Sequence, residues 1–234
     1  MKIKTIGSGS SGNCYLIDDG QTQLLLECGL PIKKIKAGCD YDFSRVAACL
    51  ITHEHGDHAK AANDLMRAGV DVWMTEGTAR AAGADVYRLK LFKQIRPNDC
   101  YFTENIGTFT ILAFPVHHDA AEPVGYLIHS GATDEKLLYV TDTQYIDYRF
   151  RGLNYIMVEA NFSSETLADP DNDPRRHRLR RTHMSIENTL KMLQANDLSK
   201  CKRIYLIHLS QTNADAEEFV RRVETETGVP TSAA

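Results

Sequence analysis

Residues 50–58 read LITHEHGDH, with three histidines, an aspartate and a glutamate in six positions behind the apolar run of RVAACLIT (45–52). The run reads as a buried strand and HAKAANDLMRAG (58–69) as a helix stopped by Gly69. Where a strand runs out into a loop, residues two apart project the same way, so His53 and His55 can aim at one point. Asp57 and His58 lie across a turn that Gly56 permits, at the first turn of the next helix, and can aim at a second point nearby. A single zinc takes about three or four ligands, and imidazole with carboxylate suits Zn, Mn or Fe. Glu54 should point away from its neighbours and has no metal role in this reading.

Local ligands make half a site, so the rest must come from other strand ends. TFTILAF (108–114) leads to the adjacent pair His117 and His118, KLLYVTD (136–142) to Asp142, and RIYLIHL (203–209) to His208. Each has the form of an apolar strand closed by a metal-capable side chain, which is how a packed scaffold gathers ligands at one rim.

The rest of the chain is ordinary for a globular protein. It has 234 residues, 43% hydrophobic and 25% charged, enough to bury a substantial core. A net charge of -4 excludes electrostatic nucleic-acid binding by the chain as a whole, so such binding needs a local basic patch. No signal peptide is visible at the start, no stretch reaches the roughly 20 apolar residues of a membrane span, and the six cysteines form no CxxC pair. The expectation is a cytoplasmic protein with buried, reduced thiols and no membrane partner.

Further strands are expected at KIKTI, CYLID, QLLLE, VDVWMT (70–75), GYLIHS (125–130) and YIMVEA (155–160). Helices are expected at SIENTLKMLQAND, with Ser185 as its cap, and at NADAEEFVRRVETETG, capped by Asn213 and ended by Gly228. With no repeat and no long linker, residues 1–234 read as a single α/β domain of two sheets packed face to face with helices outside.

H-x-H-x-D-H, a later His, a strand-end Asp and a final His, in this order, resemble the metallo-β-lactamase superfamily over nearly the whole chain. The resemblance implies a four-layer αβ/βα sandwich of two packed mixed sheets with two divalent metal ions at the sheet rims, zinc before manganese or iron. Carried over by position, His53, His55 and His118 hold one metal, Asp57, His58 and His208 hold the other, and Asp142 bridges. HDAAEPVGY (118–126) resembles the family's H-D-A-x-x-P-x-G-Y stretch, which selects His118 over His117. Glu27-Cys28-Gly29 stands where the family often has D-x-G, so a longer acid takes the supporting position.

Two metals about 3.5–4 Å apart can hold a nucleophilic hydroxide and act as Lewis acids on the substrate oxygen. That chemistry serves phosphodiesters, thioesters, lactones and β-lactams alike. GSGSSGNCYLI (7–17) looks like the G-S-[SG]-x-G-N opening of the YycJ-like branch, associated with nuclease activity. Its N–H groups suit phosphate, which makes Ser8, Ser10, Ser11 and Asn13 candidate substrate contacts. THMSIEN resembles that branch's H-L-S-N element and makes His183 a catalytic candidate beside Asp57, as proton donor to the leaving oxygen or phosphate contact. VEANFSSE carries Phe162 where that branch has His. RRHRLRR (175–181), read as a loop beside His183, offers Arg175, Arg176 and Arg178 for bidentate phosphate contact.

The reading is therefore a dimetal phosphodiesterase, an exonuclease on DNA or RNA. Its alternative is a hydrolase of a small ester, lactone or thioester using the same metals. A reading of another class is a metal-containing nucleic-acid-binding protein without turnover.

Overall fold

The computed structural model describes residues 1–84, 87–94, 99–167 and 173–234. The chain divides into two compact units, Met1–Pro115 with Ala120–Glu135, and Val116–Asp119 with Lys136–Ala234.

In the first unit, β1 (Lys2–Gly7), β2 (Cys14–Asp18) and β3 (Gln23–Leu26) form an antiparallel meander. The sheet continues in parallel through β4 (Val46–Leu50), β5 (Asp71–Met74) and β6 (Leu89–Leu91). VAACL of β4 is apolar without alternation because it lies between parallel neighbours, with Leu25 opposite Cys49 and Leu50 opposite Trp73. Around it run α1 (Ile32–Gly38), α2 (Gly56–Ala59), α3 (Ala62–Arg67) and α4 (Glu76–Ala81). β7 (Glu104–Ile106), β8 (Phe109–Pro115) and β9 (Val124–Ser130) form an antiparallel ladder, with Phe109 opposite Ser130 and Pro115 opposite Val124.

This ladder packs on the first sheet. Tyr126 stacks near Phe92 with centroids 5.6 Å apart, and its hydroxyl donates to the Ile51 carbonyl. Asp19, in the β2–β3 turn, accepts from Thr108 Oγ1 at 2.6 Å and Ser130 Oγ at 2.7 Å. Cys14, Cys28, Cys39 and Cys49 are buried in this unit's core, and every cysteine is free. Burial pushes the Cys39 thiol up to about 11 and those of Cys14 and Cys49 well above the usual value.

The second unit carries a parallel ladder of β10 (Glu135–Val140), β11 (Tyr155–Glu159), β12 (Arg203–Ile207) and β13 (Thr231–Ala233). Its helices are α5 (Pro174–Thr182), α6 (Ile186–Gln194) and α7 (Ala216–Thr227). α6 turns Ile186, Leu190 and Leu193 inward, and Ser185 caps it by accepting from Asn188 N. Each such buried Leu or Ile contributes roughly 2 kcal/mol.

Four expectations are corrected. The single helix over 58–69 is two short ones, because Cys28 N donates to His58 O and Ala61 N donates to Cys28 O, pulling the intervening backbone off the helical path. Gly56 does not have the positive φ that a glycine-requiring turn would show. α7 is capped by Asp215, not Asn213, whose side chain donates to Ser210 Oγ instead. The arginine-rich run expected as a loop is α5, started by Pro174 at its first turn and by the Asp173 carboxylate, which accepts from Arg175 N. Pro97 and most of the DPDNDP turn (169–174) lie outside the described residues.

Candidate metal centre

In the first unit the end of β4 delivers a histidine cluster. His53 is buried, its Nδ1 2.9 Å from Thr52 Oγ1 and its Nε2 3.1 Å from His55 Nδ1. The His53 and His58 rings lie 4.2 Å apart, and His58 Nε2 is 3.5 Å from Asp57 Oδ2. Glu27, fully buried at the end of β3, points Oε1 at His58 Nδ1 (3.6 Å) and accepts from Thr52 N through Oε2 (3.2 Å). The longer acid thus reaches both the cluster's strand and its last histidine. Glu54 turns away and accepts from Ala121 N at 2.8 Å.

The backbone of Asp57 and His58 is held from below. Asn13 N donates to Asp57 O at 2.8 Å, and Asn13 Nδ2 lies 3.2 Å from the same oxygen and 3.3 Å from His58 Nε2. Asn13 is buried, Ser8 accepts from the Tyr15 hydroxyl at 2.8 Å, and Ser10 and Ser11 are exposed. A Cβ on Gly29 would meet Asp57 O at 1.7 Å, so only glycine allows this loop to lie so close.

The second unit gathers the remaining candidates. His118 Nδ1 lies 2.8 Å from the Thr182 carbonyl, which can only accept, so Nδ1 carries the proton and Nε2 presents a lone pair. That Nε2 is 3.6 Å from Asp142 Oδ2. On the other oxygen, His208 Nε2 is 3.6 Å from Asp142 Oδ1, while His208 Nδ1 faces Glu159 Oε1 at 3.3 Å. Asp142 therefore offers one carboxylate oxygen to each of two imidazoles.

His183 Nδ1 contacts Glu159 Oε1 at 2.6 Å, and its ring stacks on that of His208 at 5.4 Å. One ligand atom from each of Asp142, Glu159, His183 and His208 lies within 4.8 Å of the others. His117 behaves differently from its neighbour, being half exposed with Nε2 2.6 Å from Asp147 Oδ2. Phe162 is buried and bridges to Ser185.

Burial pulls His118 below the usual imidazole value against the opposing charge of Asp142, which leaves the ring neutral and able to ligate. Burial also acts to lower His183, but Glu159 and Asp142 outweigh it and raise it. Burial would raise Glu159, yet His183 and the hydrogen bonds it receives hold it below the usual carboxylate range. Each unit thus brings imidazole nitrogens and carboxylate oxygens together. Such a donor set of imidazole and carboxylate fits a divalent cation.

Glu27, Asp142 and His208 all have positive φ, at 63°, 48° and 53°. Each lies one or two residues beyond a strand in the left-handed region, at about 1–3 kcal/mol for a non-glycine residue. α5 carries the arginines: Arg175 and Arg178 are exposed, Arg178 Nε lies 2.6 Å from Asp119 Oδ2, and Arg175 folds back on Asp173. His118, His177, Arg178 and Arg181 line a cleft of about 690 Å³ in this unit.

Glu159 had no role in the sequence reading. It closes YIMVEA as Asp142 closes its strand and His208 nearly closes its own, and that shared position was the signal.

Residues 30–209 match the β-lactamase superfamily domain. The chain belongs to the metallo-β-lactamase superfamily. Its α/β architecture of two packed mixed sheets is the family's, and the protein is similar over 99% of its length to the metallo-β-lactamase fold protein YhfI from Bacillus subtilis. That similarity has a TM-score of 0.75 at 17% identity and covers 95% of YhfI. Human tRNase Z, short form, matches over 100% of this chain and 96% of its own, with a TM-score of 0.69 at 14% identity. Exodeoxyribonuclease WalJ of Streptococcus pneumoniae is 31% identical, covering 91% of this chain and 83% of WalJ. Exodeoxyribonuclease YycJ of Bacillus anthracis is 30% identical, covering 91% and 84%. No described helix of this superfamily member is long and apolar enough to cross a membrane.

Proposed function

We propose that the chain is a two-metal phosphodiesterase that acts in the cytoplasm as an exonuclease on DNA or RNA. The two-metal reading is carried by Asp142, whose oxygens each face one imidazole Nε2 at 3.6 Å. The substrate class is supported by relatives named exodeoxyribonucleases at 30–31% identity. In this reading His53, His55 and His118 hold one ion, Asp57, His58 and His208 hold the other, and Asp142 is shared. Zinc suits the imidazole-rich set, with manganese and iron as further fits.

When bound, two divalent ions activate water and offset charge developing on phosphate oxygens. The chain's own residues do the rest. Glu27 and Asn13 orient His58, and the Thr182 carbonyl orients His118. Glu159 fixes His183 through Nδ1, so Nε2 is the atom that passes a proton to the leaving oxygen. Ser8, Ser10 and Ser11 in the β1–β2 loop and Arg175, Arg176 and Arg178 on α5 supply phosphate contacts without reading sequence.

The test is a paired assay on end-labelled DNA or RNA and on a small ester, with Zn and with Mn. Shortening of the labelled strand is expected. Ester hydrolysis with nucleic acid untouched would put the small-ester reading in its place, and metal-dependent DNA binding without turnover would favour the non-catalytic one. His118→Ala should lower bound metal and abolish cleavage, whereas His117→Ala should keep the wild-type metal content. The reverse result would reassign the ligand.

A further inference from the structure

His117 has no place in the proposed metal set, yet its ring is held as firmly as a ligand's. It stacks on Tyr145 with centroids 4.3 Å apart and planes 27° from parallel. Both rings reach solvent: the His117 side chain is 45% exposed and Tyr145 is 46% exposed. Neither is loosely placed. Asp147 contacts His117 Nε2 at 2.6 Å and fixes the ring's rotation. Thr143 Oγ1 accepts from His117 N at 3.0 Å and donates to the Tyr145 carbonyl at 2.7 Å, tying both residues to one turn.

The surroundings are those of a strand's path. His117 borders the cleft that holds His118, His177 and Arg181. Tyr145 borders a groove containing Asn188 and Lys191. Arg178 in the cleft is tied to Asp119, whereas Arg181, exposed on the same side of α5, makes no ion pair among the described residues.

We propose that the stacked His117–Tyr145 pair is a platform for a nucleobase of single-stranded nucleic acid, with Arg181 taking a phosphate of the same strand in the adjoining cleft. The proposal rests on the nucleic-acid reading above and names the form of substrate that reading leaves open. Every base has a π-face, so an aromatic platform binds without sequence preference. Bases within a duplex are already stacked on both faces, so the platform selects single strands or frayed ends. Rings fixed before binding lose little conformational freedom when the base arrives.

The test is fluorescence anisotropy of the full chain in EDTA, where nothing is cleaved, with oligo(dA) and with an abasic strand of equal length. Tyr145→Ala should weaken oligo(dA) binding about ten-fold and leave the abasic strand nearly unchanged, while Tyr145→Phe should keep the wild-type affinity. Arg181→Ala should weaken both strands alike and lower the salt slope by about one. Tyr145→Ala binding oligo(dA) as wild type does, or losing equally on both strands, overturns the platform. If wild type cleaves end-labelled DNA with metal and Tyr145→Ala is indistinguishable in KM, only the platform falls. If wild type neither binds nor cleaves any nucleic acid, the nucleic-acid reading fails and the platform with it.

Discussion

Gly29→Ala tests the packing that presents Asp57 and His58. The added methyl would sit 1.7 Å from Asp57 O, 2.0 Å from its carbonyl carbon and 2.7 Å from His58 N, all backbone atoms that cannot swing aside. Real Cβ contacts stay above 3.0 Å, so the loop must retreat by about 1.3 Å. Three hydrogen bonds hold the loop there: Cys28 N to His58 O (2.8 Å), Asn13 N to Asp57 O (2.8 Å) and Gly29 N to Asn13 O (2.9 Å). At about 1 kcal/mol each, their loss costs about 3 kcal/mol. For a chain of this size that lowers Tm by roughly 6–12 °C. A ligand displaced by about 1 Å costs turnover about 100-fold, and the ion proposed to sit on Asp57 and His58 should weaken more than the other. Calorimetry and metal titration of Gly29→Ala measure both, with Gly56→Ala, whose Cβ would meet nothing, as the control. A Gly29→Ala protein that melts and binds metal as wild type does would refute the reasoning.

Two further perturbations address other links. Glu159→Gln keeps the side chain's size but removes the charge that holds His183 and His208 and turns one of two accepting oxygens into a donor among buried N–H groups. Turnover should therefore fall about 10–100-fold and the protein should melt lower; unchanged turnover would remove Glu159 from the site. Burial would raise Asp19, but hydrogen bonds from Thr108, Thr22, Ser130 and Gln21 outweigh it and hold the acid below the usual carboxylate range. A carboxyl lowered on folding stabilises above its unfolded pKa, and that stability drains as pH falls through the folded value. Asp19→Asn should therefore melt lower than wild type at neutral pH, and the gap should narrow below about pH 4. A gap of constant width in melts from neutral to acid pH would contradict this account.

The fold was legible where burial wrote itself into sequence. RVAACLIT, KLLYVTD and RIYLIHL are continuous apolar runs because parallel neighbours cover them, and each ends close to a metal-capable residue. α5 was illegible by hydrophobic pattern, since RRHRLRR offers one leucine and no apolar stripe. Its signal was the Asp173-Pro174 start, a local rule that the charge run obscured. The split of α2 from α3 depends on hydrogen bonds between Cys28 and residues 58–61, about 30 positions apart, which no local pattern encodes. Glu159 was missed because an acid closing a strand is an ordinary sight until its burial and both histidine contacts are seen.

The buried cysteines bear on metal choice. Thiolate is a softer and stronger zinc ligand than imidazole, and four thiols lie in the core of the unit that presents His53 to His58. Only the deprotonated form ligates or oxidises readily. Burial keeps the protons on Cys14, Cys39 and Cys49 at neutral pH. The same apolar packing that steadies β4 therefore withdraws sulfur from competition, leaving an arriving ion to nitrogen and oxygen.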